Sequence, residues 1–181
     1  MPRVHYVKKA RKANPVAQPG EPYYWWKFRY GGKRYSKTPP RGSQLTQSAY
    51  YGTVRSIGEF IEDSNVETND ELIELRDEVV SQLEDLRDET QSSLDNMPDE
   101  LQYSPTGELL QERIDAVESA ISDIESIDEY AEEEPDRNHY DDGEEGTDEF
   151  QSDHNDWQEQ LESHLESAVS DMTDYVYQAE V

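Results

Sequence analysis

The chain has 181 residues, of which 33% are apolar, and its 16 Lys and Arg against 43 Asp and Glu give a formal net charge of −27. So small an apolar fraction excludes one large core, and no run of about 18 apolar residues is present to span a bilayer. Met1–Lys12 is basic without an apolar centre, so no secretory signal is expected, and the absence of cysteine removes disulfides, thiol nucleophiles and thiolate metal sites.

The charge is segregated. Residues 1–57 hold 12 basic side chains and a single acid, Glu21, a net +11. The 124 residues that follow hold 42 acids and four arginines (Arg76, Arg87, Arg113 and Arg137), a net −38, and no lysine occurs after Lys37. Two modules with opposite electrostatic roles are the working expectation. The predicted boundaries are a basic head at 1–61, an acidic helical hairpin at 65–130, an acidic linker at 131–147 and a C-terminal acidic amphipathic helix at 148–181.

In the head, Tyr23-Tyr-Trp-Trp-Lys-Phe-Arg-Tyr30 and Lys33-Arg-Tyr-Ser-Lys-Thr38 flank Gly31-Gly32, a hairpin pattern because both central residues of a type I′ turn need positive φ. Pairing Tyr30 with Lys33 places Tyr24, Trp26, Phe28, Tyr30 and Tyr35 on one face. The other face then carries Tyr23, Trp25, Lys27, Arg29, Arg34 and Ser36. An isolated hairpin is marginal, so the aromatic face needs a cover. Val4–Val7 alternates like a third strand, and Tyr50, Val54, Ile57 and Ile61 recur at helical spacing. The predicted fold class is α+β, mostly α: a small basic three-stranded antiparallel sheet with one helix, followed by the acidic helices.

That strand-strand-strand-helix order, with Tyr-Trp-Lys-Phe-Arg and Gly-Gly-Lys-Arg-Tyr, resembles the arm-type DNA-binding domain of phage tyrosine integrases and the plant AP2-type domain. The resemblance covers residues 3–61 and implies a sheet that enters the DNA major groove. No catalytic domain follows, and the 15-residue connection from Val7 to Tyr23 is longer than usual for such domains. The head also resembles the start of short, uncharacterised tailed-phage proteins. With neither a secretory signal nor cysteine in the sequence, a cytoplasmic setting is expected, in host cytoplasm or virion if the protein is phage-encoded. Cations interleaved with aromatics suit phosphate neutralisation and base stacking. The candidate residues are Lys8, Lys9, Arg11, Lys12, Trp25, Lys27, Arg29, Lys33, Arg34, Lys37 and Arg41, for nucleic acid or an acidic partner, this chain's own helices included.

From Asn65 the pattern is helical. Thr68-Asn-Asp-Glu71 reads as a capping box, and Leu72, Leu75, Val79, Leu83 and Leu86 form a seam that Leu94 extends. Met97–Tyr103, with Pro98, breaks it. Ser104-Pro105 restarts a helix whose seam is Leu110, Ile114, Val117, Ile121 and Ile124. The short connection predicts an antiparallel hairpin. Ala131–Thr147 has no periodicity and reads as a mobile linker. A last helix from about Ser152 to Ala179 carries Trp157, Leu161, Leu165, Ala168, Met172, Tyr175 and Val176 on one face. These seams meet in one bundle or in a dimer, a choice that sequence leaves open.

Four arginines do not balance 42 acids, so self-repulsion opposes compaction and calls for salt, divalent cations or a basic partner. Halophilic adaptation also enriches Asp and Glu, but it leaves a +11 head unexplained. In charge and helicity alone, residues 65–181 resemble acidic helical phage proteins that imitate DNA. The corresponding acidic candidates are Glu74, Asp77, Glu78, Glu84, Asp85, Asp88, Glu112, Asp115, Glu118, Asp123, Glu125, Glu159, Glu162 and Glu166, facing a basic protein partner.

The histidines (His5, His139, His154 and His164) form no His-Glu-x-x-His or comparable ligand spacing, and no Gly-rich phosphate loop or nucleophile elbow is present. Asp136–Gly143 lacks calcium-loop spacing. No catalytic residue, metal or cofactor is expected. The expected function is that of a non-enzymatic interaction protein, DNA-mimic or inhibitor-like, with no membrane association. The alternatives are a virion or scaffold protein that oligomerises through its helices, and a DNA-binding head with a regulatory acidic tail.

Overall fold

The computed structural model describes residues 1–141 and 143–181. The chain forms two compact units, residues 1–59 and 60–181, and the boundary falls inside helix α1. It is mostly helical with one small three-stranded antiparallel sheet, the α+β class that the patterning predicts.

In the first unit β1 (His5–Val7), β2 (Tyr23–Lys27) and β3 (Lys33–Ser36) lie in sequence order. A 3-10 turn at Gly42–Leu45 follows, and then α1 (Ala49–Glu62). The long β1–β2 connection is ordered by its own backbone. The Ala10 N–H donates to the Glu21 carbonyl and the Gly20 N–H to the Ala10 carbonyl, each at 2.8 Å, so the ladder continues past the strand ends. Asn14 Oδ1 accepts from the N–H groups of Val16 and Ala17 at 3.0 and 2.9 Å. This is the turn chemistry that asparagine supplies locally.

The hairpin register differs from the sequence expectation. Lys27 faces Lys33, Trp26 faces Arg34, Trp25 faces Tyr35 and Tyr24 faces Ser36, a three-residue shift from a Tyr30–Lys33 pairing. An odd shift moves every β3 side chain to the opposite face. The physical reason lies in the loop. Phe28 leaves the ladder and is buried, while Tyr30 stays exposed and its carbonyl accepts from Gln47 Nε2 at 2.7 Å. Gly31 has φ +140° whereas Gly32 does not have positive φ, so the two-residue type I′ turn does not form.

In the second unit, α2 (Asn69–Asp95) begins with the expected capping box. Thr68 Oγ1 accepts from the Glu71 N–H at 3.3 Å, and Glu71 Oε2 accepts from the Thr68 N–H at 3.2 Å. A single turn, α3 (Asp99–Gln102), occupies the predicted break. Then α4 (Pro105–Glu125) starts with Ser104 Oγ accepting from the Gly107 N–H at 3.4 Å. The helices α2 and α4 run antiparallel: the first residue of α2 bonds Tyr130, and Arg76 Nη1 donates to the Ile127 carbonyl at 3.2 Å just past the end of α4. Buried Leu72, Leu75, Val79, Leu83 and Leu86 supply one side of the core, Ile114, Val117, Ile121 and Ile124 the second. The last helix, α5 (Glu144–Gln178), packs on both and adds Leu165, Ala168, Met172 and Val176.

The segment expected as a mobile linker is tied down over its described residues; Asp142 lies outside them. Trp157 Nε1 donates to the Glu132 carbonyl at 3.0 Å, and the Tyr140 hydroxyl to Asp153 Oδ2 at 2.9 Å. Arg137 reaches the Tyr140 and Asp141 carbonyls at 3.2 and 3.0 Å. Helix α5 also starts at Glu144, inside the predicted linker. Single polar ties of this kind carry no periodic sequence signal.

Candidate interaction surfaces

The head presents an aromatic strip running across all three strands. His5, Trp25 and Tyr35 are paired through the ladder and therefore share a face. The His5 and Trp25 rings stack at 4.2 Å and 8°, and Lys33 Nζ lies 4.4 Å from the Trp25 ring centroid. Tyr23 continues the strip, its ring 6.1 Å from that of Tyr35. Lys27 and Lys33 stand directly opposite each other in the ladder. Like charges held opposite destabilise a strand pair, and an anion bound between them removes that cost.

Of the predicted binding residues of the head, Trp25, Lys27 and Lys33 come together on this face. Arg34 does not: it shares the face of Trp26 and lies 5.6 Å from the Phe28 ring. Arg29 sits in the β2–β3 loop against Tyr30, at 5.4 Å. Lys8, Lys9, Arg11 and Lys12 are exposed on the β1–β2 connection, while Lys37 and Arg41 are exposed beyond β3. His5 and Tyr35 were not expected here, because the odd register shift is what brings Tyr35 to Trp25. Trp26 is buried, and its indole N–H has no hydrogen-bond partner among the described residues.

The predicted acids on α2, α4 and α5 are all exposed except Asp123, which is half-buried. Three of the α2 acids are partly neutralised. Asp77 lies 3.5 Å from Arg76 Nε, and Arg87 reaches Asp88 at 2.9 Å and Glu84 at 3.8 Å. The hydrogen bond to Asp88 holds the Arg87 pKa above its ordinary value. Exposed pairs of this kind contribute little stability. The other predicted acids, Asp123 apart, are exposed and make this a dense negative surface.

His154 and His164 are held by structural contacts. His164 Nε2 lies 2.9 Å from the Asp128 carbonyl, and His154 stacks between Phe150 and Trp157 with Nδ1 3.6 Å from Glu134. Among the described residues no group of three or more His, Asp or Glu side chains is arranged to hold a metal ion, and no helix is long and apolar enough to cross a membrane. No family, curated protein or solved structure matches the chain.

Proposed function

We propose that the chain is a non-enzymatic interaction protein of phage type. Its acidic helices engage the basic, DNA-binding surface of a protein partner in the manner of a DNA mimic, and its head contacts that partner or its nucleic acid. The observation that carries this reading is the linear charge density of α2. Ten carboxylates lie along 27 residues, a length of about 40 Å at ~1.5 Å per residue. That is one per ~4 Å, close to the ~3.4 Å axial spacing of charges along one DNA strand. The 35 residues of α5 extend the acidic surface without a single Lys or Arg. The aromatic strip flanked by Lys27 and Lys33 supports the head as the part that meets phosphates.

The test uses the intact protein as bait in its native cell at moderate salt, followed by competition. The expected partner is a DNA-binding protein that duplex DNA displaces. Combined Glu74→Gln, Glu78→Gln, Asp85→Asn, Glu112→Gln and Asp115→Asn substitutions abolish the competition. Unchanged competition by that variant overturns the proposal.

A further inference from the structure

Helix α5 buries an apolar stripe of Leu165, Ala168, Met172, Val176 and Ala179. Trp157 and Leu161, which continue that stripe toward the N-terminus, and Val169 and Thr173, along its flank, remain only half-buried. With Val66 they floor a groove of about 1040 Å³ between α5 and the 62–68 segment. Its walls carry Glu62, Glu67, Glu162, Glu166 and Asp174, and among the described residues no Lys, Arg or His lines it. The Tyr177 hydroxyl donates to Glu62 Oε1 at 3.0 Å, which ties the 62–68 segment to α5, and the Trp157 indole is held in place by donating to the Glu132 carbonyl at 3.0 Å.

We infer that this groove is a docking site for a basic amphipathic helix of the protein partner. The stretch of α5 from Trp157 to Asp174 is about 26 Å long, the length of a helix of ~17 residues. An apolar floor takes up the apolar stripe of such a helix, as helix-in-groove recognition requires. The five carboxylates receive Lys or Arg heads whose methylene stems cover the groove edge. Charge complementarity selects this occupant. Nucleic acid and anionic lipid are repelled by the rim, and a second copy of the same groove brings carboxylates against carboxylates. The inference rests on the proposed function and names where on the acidic surface the partner sits and what it presents.

The test titrates a fluorescein-labelled Leu/Lys peptide of about 18 residues, patterned as an amphipathic helix, into the full-length chain. A scrambled peptide of identical composition is the control. The patterned peptide binds one to one, and the scrambled one at least about tenfold more weakly, because it cannot bury a continuous apolar stripe. Leu161→Gln with Val169→Gln removes that advantage. Since both residues lie at the groove surface, circular dichroism and the melting temperature check that the fold is kept. The exposed pair Glu162→Gln and Glu166→Gln weakens the patterned peptide and flattens its salt dependence, without relying on the apolar floor. Asp99→Asn with Glu100→Gln on α3, exposed acids that belong to neither the groove nor the partner-facing set, leaves its affinity within about twofold, as expected for charges outside the groove.

Equal binding of the two peptides, or an equal loss from the α3 pair, overturns the groove assignment. If the peptide fails while DNA competition for the captured partner persists, the groove alone is wrong. If the peptide binds as described while no partner competes with DNA, the groove stands and the DNA-mimic reading falls.

Discussion

Asn69 and Tyr130 exchange two hydrogen bonds: Asn69 Nδ2 donates to the Tyr130 carbonyl at 2.9 Å, and Asn69 Oδ1 accepts from the Tyr130 N–H at 3.0 Å. The side-chain amide thus pairs with a backbone unit as a neighbouring strand would, and it joins the start of α2 to the chain leaving α4. Both residues are half-buried. Asn69→Ala is expected to lower unfolding stability by about 1–2 kcal/mol, since two bonds are lost and water replaces them only in part. Asn69→Asp is expected to cost at least as much, because it sets a carboxylate against the Tyr130 carbonyl. Urea denaturation of the two variants checks this, and a loss below a few tenths of a kcal/mol for both would contradict it.

Gly107 lies in the first turn of α4, where alanine would ordinarily strengthen a helix. Here an added Cβ would overlap the backbone of Gln102, which belongs to the preceding turn α3. Gly107→Ala is therefore expected to destabilise by about 1–3 kcal/mol, the usual range for overpacking, and not to stabilise by the ~0.5–1 kcal/mol that propensity alone gives. A thermal melt distinguishes the two signs.

The cation over Trp25 makes a prediction about the head. A double-mutant cycle with Lys33→Ala and Trp25→Leu should return a coupling of about 0.5–1 kcal/mol, as for an exposed cation–π pair. In the full chain, Lys27→Ala with Lys33→Ala should reduce the salt dependence of any nucleic-acid binding by about two phosphate contacts. A binding slope unchanged by that pair would exclude the sheet face as the phosphate-contacting surface.

The Tyr140 hydroxyl donates to Asp153 and is held above the ordinary tyrosine range, chiefly by that bond. A raised folded-state pKa contributes stability that is fully present below the unfolded pKa, about 10, and is lost as pH rises through the folded value. The tie between the α4–α5 connection and α5 should thus hold at neutral pH and release in strong alkali. Tyr140→Phe should remove this alkaline step as read by hydrogen exchange in residues 136–150. The opposite sign holds for Asp136, whose pKa is lowered mainly by the Asn138 N–H. Its contribution is present above the unfolded carboxylate pKa and lost as pH falls through the folded value.

Repulsion among the acids of residues 60–181 should make the helical unit salt-dependent. Raising NaCl from about 50 to 500 mM shortens the Debye length severalfold and is expected to raise the melting temperature. Glu74→Gln with Glu78→Gln, two exposed acids of α2, should raise it at low salt and have less effect at high salt. A melting temperature insensitive to salt would show that the surface charge is not opposing the fold.

Much of the local structure was legible before the fold. The Thr68–Glu71 capping box and the Leu72–Leu86 seam could be read from residue type and a spacing of three and four, because a helix places those residues together wherever it sits. The break at Pro98 and the Ser104-Pro105 restart were legible for the same local reason, although the short α3 turn inside the break was not. The candidate surfaces were legible only in part. Lys27, Lys33 and Trp25 were identified by type, but their company was not, since a strand's register depends on what its partner buries.

The sequence by itself determined a basic, aromatic first third, an acidic helical remainder, and the order of the strands and long helices. These follow from charge, periodicity and caps, all properties of neighbouring residues. Only the tertiary structure decided that Trp25 faces Tyr35, because burying Phe28 in the loop shifts the ladder by an odd number and exchanges the faces of β3. Only it decided that the stretch after α4 is tied to α5, because the ties are isolated bonds such as Trp157 to the Glu132 carbonyl. And only it left Trp157, Leu161, Val169 and Thr173 half-covered while burying Leu165 and Met172, since one helix sequence shows how many apolar residues it has but not which of them a neighbour will reach.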